Sequence, residues 1–596
     1  MPMRPLRLRV LAAAVAAQTV LWGGSAGAQP AAAASPPRPT ESPAPPVLNS
    51  ALDAPLFYQL LVAEFELRAG GAGTAYELLL DAARKTRDER LFQRATDIAL
   101  QARAGEQALA AAQAWRIAAP ASLDALRYLA QIHVGLNRPA DALDPLRTLI
   151  ERTPAAERAA AISLLPRYFA RASDLPKVIA VIDQVLQPYT KEEATRVAAL
   201  VALARMRLHN READQALALA REAQRTDPGA EGPALVAIEL LGSQPQADQL
   251  LATYFQAKPR SHALRLGYVR ELVNQQRYPA AIAQLEQALA LEPALATGWL
   301  SLGALRLELK EPAAAEAALR RYVELGAQAP ASDDPALTVT PEGQTQAYLM
   351  LAQAAESQGR MQQAEQWLLR IDDPAAALSV QSRRASLLAK QGRLDEGIAL
   401  IRRLPDEPPD AARAKLLAEA HLLRDQRQWS RAYDVLGQAA ARFPEDVDLL
   451  YEQAMMAEKT DRIDRMEQLL RRIIEIQPDH YHAYNALGYT LADRNLRLDE
   501  ARQLIEKALS LAPDEPFIVD SLGWVKYRLG RRDEALAHLQ RAYQARPDTE
   551  IAAHLGEVLW VMGQRDEARR VWREGQERDA SNEVLRETLR RFKVDL

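Results

Sequence analysis

The chain has 596 residues, a formal net charge of −4, no cysteine and only 6% aromatics. One compact core stops growing near 250–300 residues, so several domains or a repeat array is expected. The missing cysteine excludes disulfides, thiolate metal sites and cysteine nucleophiles, and mildly acidic, interspersed charge is not built to track phosphate backbones, so nucleic acid is not an expected partner.

The first segment reads as an address. Residues 1–28 begin with Arg4, Arg7 and Arg9, continue in an apolar run from Val10 to Leu21, and close on Ala26-Gly27-Ala28 before Gln29. That is the layout of a secretory signal peptide, and the run is too short to span a bilayer comfortably. Export to the periplasm is expected, with no transmembrane segment in the mature chain. Lipid attachment after such a segment needs a cysteine, so association with the outer membrane is left open. Residues 29–50 are rich in proline and alanine (Pro30, Pro36, Pro37, Pro39, Pro43, Pro45, Pro46) and predict a disordered tether.

From there on, small residues recur. Aligned on Ala535 of "DEALAHL", equivalent positions are Ala75, Ala108, Ala142, Val178, Ala216, Ala247, Ala281, Ala315, Ala364, Gly397, Ala432, Met466, Ala501, Ala535 and Ala568. Most steps lie close to 34 residues, and a proline follows twelve residues later in most units, as Pro547 follows Ala535. The spacing, with Trp299-x2-Leu302-Gly303 and Leu522-Gly523 upstream of their alanines, resembles the tetratricopeptide repeat (TPR), a helix–turn–helix unit. The resemblance implies an all-α fold: a TPR helix-pair solenoid of about fifteen units, whose stacked neighbours share one continuous core. In that reading Gly523 and Ala535 are small so that the two helices of a unit approach closely. Ala542 admits the next unit, and Pro547 stops the second helix.

The expected array runs over 51–325 and 344–580. One step of 49 residues separates Ala315 from Ala364, and residues 326–343, rich in proline, glycine and acid, predict a loop inserted between the eighth and ninth units and dividing the array. Residues 581–596 predict a capping helix, with Leu585, Thr588, Leu589 and Phe592 on one face and Arg586, Arg590, Arg591 and Lys593 elsewhere.

Chemistry is poorly represented. Gly23-Gly24-Ser25-Ala26-Gly27 matches a nucleophile elbow but falls in the signal segment rather than between a strand and a helix. No metalloprotease or phosphate-loop motif occurs. His480 and His482 are close, but a spacing of two suits one metal ion poorly, and exposed turn histidines are expected instead. Acid pairs such as Asp533-Glu534 sit where they favour a helix N-terminus. Catalytic, cofactor-binding and metal-binding residues are therefore expected to be absent, and the chain is not expected to be an enzyme.

In TPR proteins certain positions of the first helix line a concave groove. Carried over, the resemblance implies that Tyr451, Met455, Asn485, Tyr489, Asp520, Trp524, Tyr527, Glu557 and Trp560 face that groove and contact a protein partner. The alternative is that the aromatics pack between neighbouring first helices as wall. The lysine/asparagine set that grips a C-terminal carboxylate in chaperone TPR domains is incomplete here. A further likeness is to a proteobacterial periplasmic family of TPR adaptor lipoproteins, carried by "LFYQLLVAEFELRAG", "NALGYTLADR", "DSLGWVKYRLG" and "AAHLGEVLWVMGQRDEARRVW". It implies a scaffold that links a carboxyl-terminal processing protease of the serine type to cell-wall hydrolase substrates. The alternative is a TPR subunit of envelope polysaccharide or outer-membrane assembly machinery.

Overall fold

The structure, a computed structural model, describes residues 52–170, 172–328 and 333–596. The expected signal segment, the tether and part of the inserted loop lie outside the described residues. Those residues hold thirty-one α-helices and two short 3-10 turns, with no strand among them. Helices follow one another in antiparallel pairs, the helix-pair stack that the spacing predicts. Five matter below: α1 (Ala54–Arg68), α2 (Tyr481–Asp493), α3 (Pro516–Arg528), α4 (Thr549–Val561) and α5 (Glu583–Phe592).

The pairing follows from the small residues. All fifteen aligned positions are buried. Thirteen of them are the fourth residue of the second helix of a pair; Ala142 ends a 3-10 turn and Ala247 opens its helix. Gly523 shows why size matters there. A Cβ on it would lie 2.7 Å from Leu539 Cγ and 3.2 Å from the Ala535 carbonyl oxygen on the partner helix Arg532–Ala545. Contacts that short force something to shift, so the helix-propensity cost of glycine is offset by close approach. Gly523→Leu is expected to cost about 1–3 kcal/mol by overpacking, read as a lower urea midpoint with an unchanged slope. Unchanged stability would refute the close-contact account.

The turns repeat with the same period. Residues Arg427, Asp461, Asn495, Gly530 and Gly563 all take positive φ between the two helices of their units. One left-handed residue terminates the first helix and reverses the chain.

Contacts divide the chain into two compact units, Met1–Ala354 and Ala355–Leu596. In the first, α1 opens the described chain. Asp53 accepts a hydrogen bond from the Leu56 N–H at 2.8 Å and caps it. The described part of the inserted segment, from residue 333 on, is anchored within this unit. Asp334 meets His262 Nε2 at 2.9 Å, and the Thr297 N–H donates to the Ala336 carbonyl at 3.1 Å. Ala336 and Leu337 pack on the core formed by the helices His262–Asn274 and Ala296–Glu308 and their neighbours.

The second unit ends as expected. In α5, Leu585 and Thr588 are buried, and Phe592 lies against Trp572 and Trp560. Arg591 lies off the apolar face as expected and is exposed, yet its guanidinium pairs with the buried carboxylate of Glu557 on α4. A long guanidinium stem lets a residue at the edge of the apolar face serve the interior.

Candidate functional site

Of the nine residues carried over from the TPR pattern, five converge in the second unit. Tyr489 comes from α2, Asp520, Trp524 and Tyr527 from α3, and Glu557 from α4. They meet around a residue the pattern did not single out, His554. Its ring stacks on Trp524 with centroids 4.3 Å apart, and its Nδ1 lies 2.9 Å from Asp520 Oδ2. Its Nε2 lies 3.3 Å from the Tyr489 hydroxyl, which also donates to Glu550 Oε1 at 3.3 Å. Trp524 Nε1 donates to Asp493 Oδ1 at 3.2 Å. Trp524, Asp520 and His554 are 3%, 4% and 2% exposed, so the aromatic wall is also the interior of this stack.

The other four go elsewhere. Tyr451 packs on the His480 and His482 rings at 5.7 and 6.3 Å. Met455 is half-buried against the neighbouring cores. Asn485 keeps a buried side-chain oxygen with no hydrogen-bond partner. Trp560 turns toward the C-terminal cap, 5.6 Å from the Trp572 ring. The two histidines are half-buried rather than exposed. His480 Nδ1 accepts from the Ala483 N–H at 3.1 Å and caps α2, while His482 lies on Tyr481. No group of three or more metal-ligating side chains occurs among the described residues.

The helical period explains the convergence. On α4, Glu550, His554 and Glu557 stand at i, i+4 and i+7, one face of a helix otherwise almost wholly apolar. On α2 and α3, Asp493 and Arg528 follow Tyr489 and Trp524 by one turn. The signal was present: three titratable residues at helical spacing inside "TEIAAHLGEVLWV". Asp493, Asp520, Glu550 and Glu557 meet His554 and Arg591 across neighbouring repeats and α5, which local pattern does not reveal.

Between α2 and α5, over the floor formed by α3 and α4, lies a cavity of about 250 Å³. Tyr489, Asp493, Trp524, Arg528, His554, Glu587, Thr588 and Arg591 line it, with Val584. The Arg528 guanidinium donates to the carbonyls of Ala492 and Asp493 at 3.1 and 2.8 Å.

Burial alone would lower the His554 pKa, but the Asp520 carboxylate, helped by Glu550 and Asp493, outweighs it and lifts it to about 9. Burial also raises Glu550 and Glu557, against the pull of His554 on both and of Arg591 on Glu557. All three groups hold protons more tightly when folded. Their contribution is therefore fully present below the unfolded pKa, near 6.5 for histidine and lower for the acids, and is lost as pH rises through the folded values. The urea midpoint of the second unit is expected to fall between about pH 6.5 and 9. His554→Gln should flatten that slope; an unchanged slope would contradict the role given to His554.

Comparison with known proteins fits this architecture. A tetratricopeptide repeat profile matches residues 245–330, 417–480 and 463–516, and a second one matches 345–372. The TPR repeat-containing protein PA4667 of Pseudomonas aeruginosa is 34% identical over 211 residues, 35% of this chain and 36% of that protein. The chain thus spans about a third of the length of the curated relative it matches. Among solved structures, a tetratricopeptide repeat protein from Parabacteroides merdae is 15% identical with a TM-score of 0.33, covering 41% of this chain and 98% of its own. A thermophilic TPR protein of Thermus thermophilus is 21% identical with a TM-score of 0.28, covering 30% of this chain and all of its own. The matched stretches are tetratricopeptide repeats, and the all-α helix-pair solenoid they belong to is a scaffold suited to holding other proteins.

Proposed function

We propose that the protein is a non-enzymatic adaptor, exported to the periplasm, that joins a carboxyl-terminal processing protease to cell-wall hydrolase substrates. The observation that supports docking most directly is the outer face of α1. Phe57, Tyr58 and Phe65 are 55%, 69% and 60% exposed, with Leu61 beside them. The helix attaches to the first repeats through Leu60, Ala63 and Leu67 on its other face, and through a Glu64–Arg94 ion pair. It is therefore apolar on both sides, and a helix of that kind is covered on both sides in its working state. Large rings that cluster on one exposed stripe are the residue types that anchor interfaces.

The signal-peptide layout supports export, and the family likeness of the N- and C-terminal stretches supports the choice of partner. Affinity capture from an envelope extract tests the reading. A serine protease of the carboxyl-terminal processing type should be retained together with hydrolase substrates. Retention of a secretin, a synthase or a barrel-assembly component instead would overturn it.

A further inference from the structure

Later repeats cover the face that α1 leaves open. Tyr58 and Phe65 stand 17 and 10 residues before Ala75, the aligned small residue of the first unit's second helix. The same offsets pick out Leu449 and Met456 before Met466, Ile518 and Val525 before Ala535, and Ile551 and Val558 before Ala568. These six are apolar and 0–4% exposed, whereas Tyr58 and Phe65 are 69% and 60% exposed. What covers the six is the second helix of the preceding unit. Leu449 and Met456 share a core with Ala432, Leu436 and Ala439 of the helix Trp429–Arg442. Ile518 and Val525 share one with Ala501, Ile505 and Ala508 of the helix Leu498–Leu511. Ile551 packs with Ala542, and Val558 with Leu539, both from the helix Arg532–Ala545. Each covering helix presents the same stripe: a small residue, a large aliphatic one four places on, and a small one three places beyond, as in Ala535-x3-Leu539-x2-Ala542.

We propose that the outer face of α1 receives an amphipathic α-helix of the docked partner, laid where a preceding repeat would place its second helix and carrying the same small–large–small stripe. The inference rests on the reading of α1 as the docking surface and names what that surface holds. Continuity argues for this occupant. At these two positions α1 is built like the first helix of a later repeat, and in later repeats a helix of that pattern fills the place. The spacing agrees: Tyr58, Leu61 and Phe65 stand at i, i+3 and i+7, a stripe that one helix lying alongside covers. Area argues against a second copy of the chain. At roughly 150–250 Å² per aromatic residue, the exposed fractions of Phe57, Tyr58 and Phe65 amount to about 400 Å², half of the roughly 800 Å² that one partner buries in a standard interface. Two copies meeting on α1 alone would fall short of a stable dimer. The chain's own residues 29–50 carry seven prolines, and such a sequence is no source of the helix.

The test uses the full chain and, as probe, a fluorescein-labelled peptide of the helix Leu498–Leu511, LDEARQLIEKALSL, in which Gln503→Glu is joined to Lys507 by a lactam. Both positions are exposed in the stack, so the bridge leaves the stripe free. Without it, a peptide of this length is scarcely helical in water. Anisotropy should show the bridged peptide binding at least about tenfold more tightly than an unbridged Ile505→Pro form, and than a bridged Ala508→Glu form. Phe57→Ser with Phe65→Ser in the chain should remove that binding. Tyr58→Glu provides a second variant, and the melting temperature reports whether the fold is kept. Equal binding of the proline form overturns the proposal in favour of an extended segment. Binding that survives both variants overturns it by placing the peptide elsewhere, and no binding at millimolar protein overturns it as well. A dimer of the free chain in sedimentation velocity, broken by Tyr58→Glu, assigns the face to a second copy and also overturns it. Protease capture that depends on Tyr58 without any preference for the bridged peptide removes the helical occupant alone. Preference for the bridged peptide without protease capture removes the choice of partner alone.

Discussion

Trp524→Ala is expected to lower the stability of the second unit by about 3–5 kcal/mol, the usual cost of truncating a fully buried tryptophan. The ring is 3% exposed, lies on the His554 imidazole with centroids 4.3 Å apart, and donates its N–H to Asp493. Removing it opens a void against α2 and α4. It also takes the aromatic cover from a charged pair whose strength depends on exclusion of water. A linear urea titration followed by circular dichroism measures the loss, which should appear as an earlier transition of the C-terminal half. Capture of a partner through α1 should survive in whatever protein remains folded. If stability were unchanged while capture fell by about tenfold or more, Trp524 would be an interface anchor and not a structural wall.

The second large effect belongs to α1. Phe57→Ser combined with Phe65→Ser is expected to weaken partner binding by at least about 2 kcal/mol for each anchor, more than a hundredfold together. Both rings are more than half exposed, so their loss removes little from the folded core. The melting temperature should therefore hardly move. A variant that binds as well as the parent would remove the α1 stripe from the interface. A variant that unfolds would show that these rings support the fold rather than an interface.

The repeat was legible because it is local. A small residue near the start of each second helix and a proline after its end are constraints within one unit, so a single sequence displays them many times over. Even the weakest matches, Val178, Gly397 and Met466, proved buried at the fourth residue of their helices. The cluster around His554 was only half legible. The TPR positions found Tyr489, Asp520, Trp524 and Glu557 but not His554, Glu550 or Arg591. Asp520 and His554 are 34 residues apart, as are Glu557 and Arg591, so these pairs form only when neighbouring units stack. The Arg591–Glu557 pair was hidden for a plain reason: a helical pattern shows where a Cα points, not how far a guanidinium reaches. The α1 stripe was not legible, because the sequence offers apolar residues all round this helix and only the packing of Leu60, Ala63 and Leu67 shows which face is already used.

We propose that this scaffold docks its partner through the outer face of α1. Hydrogen–deuterium exchange on the full chain, free and with its captured partner, addresses it most directly. A helix at the edge of a stack, with one face uncovered, frays and exchanges quickly when free. Marked slowing of exchange is expected across Ala54–Arg68 in the complex, with the interior helices α3 and α4 little changed. Unaltered exchange in α1, with protection confined to other helices, would contradict it.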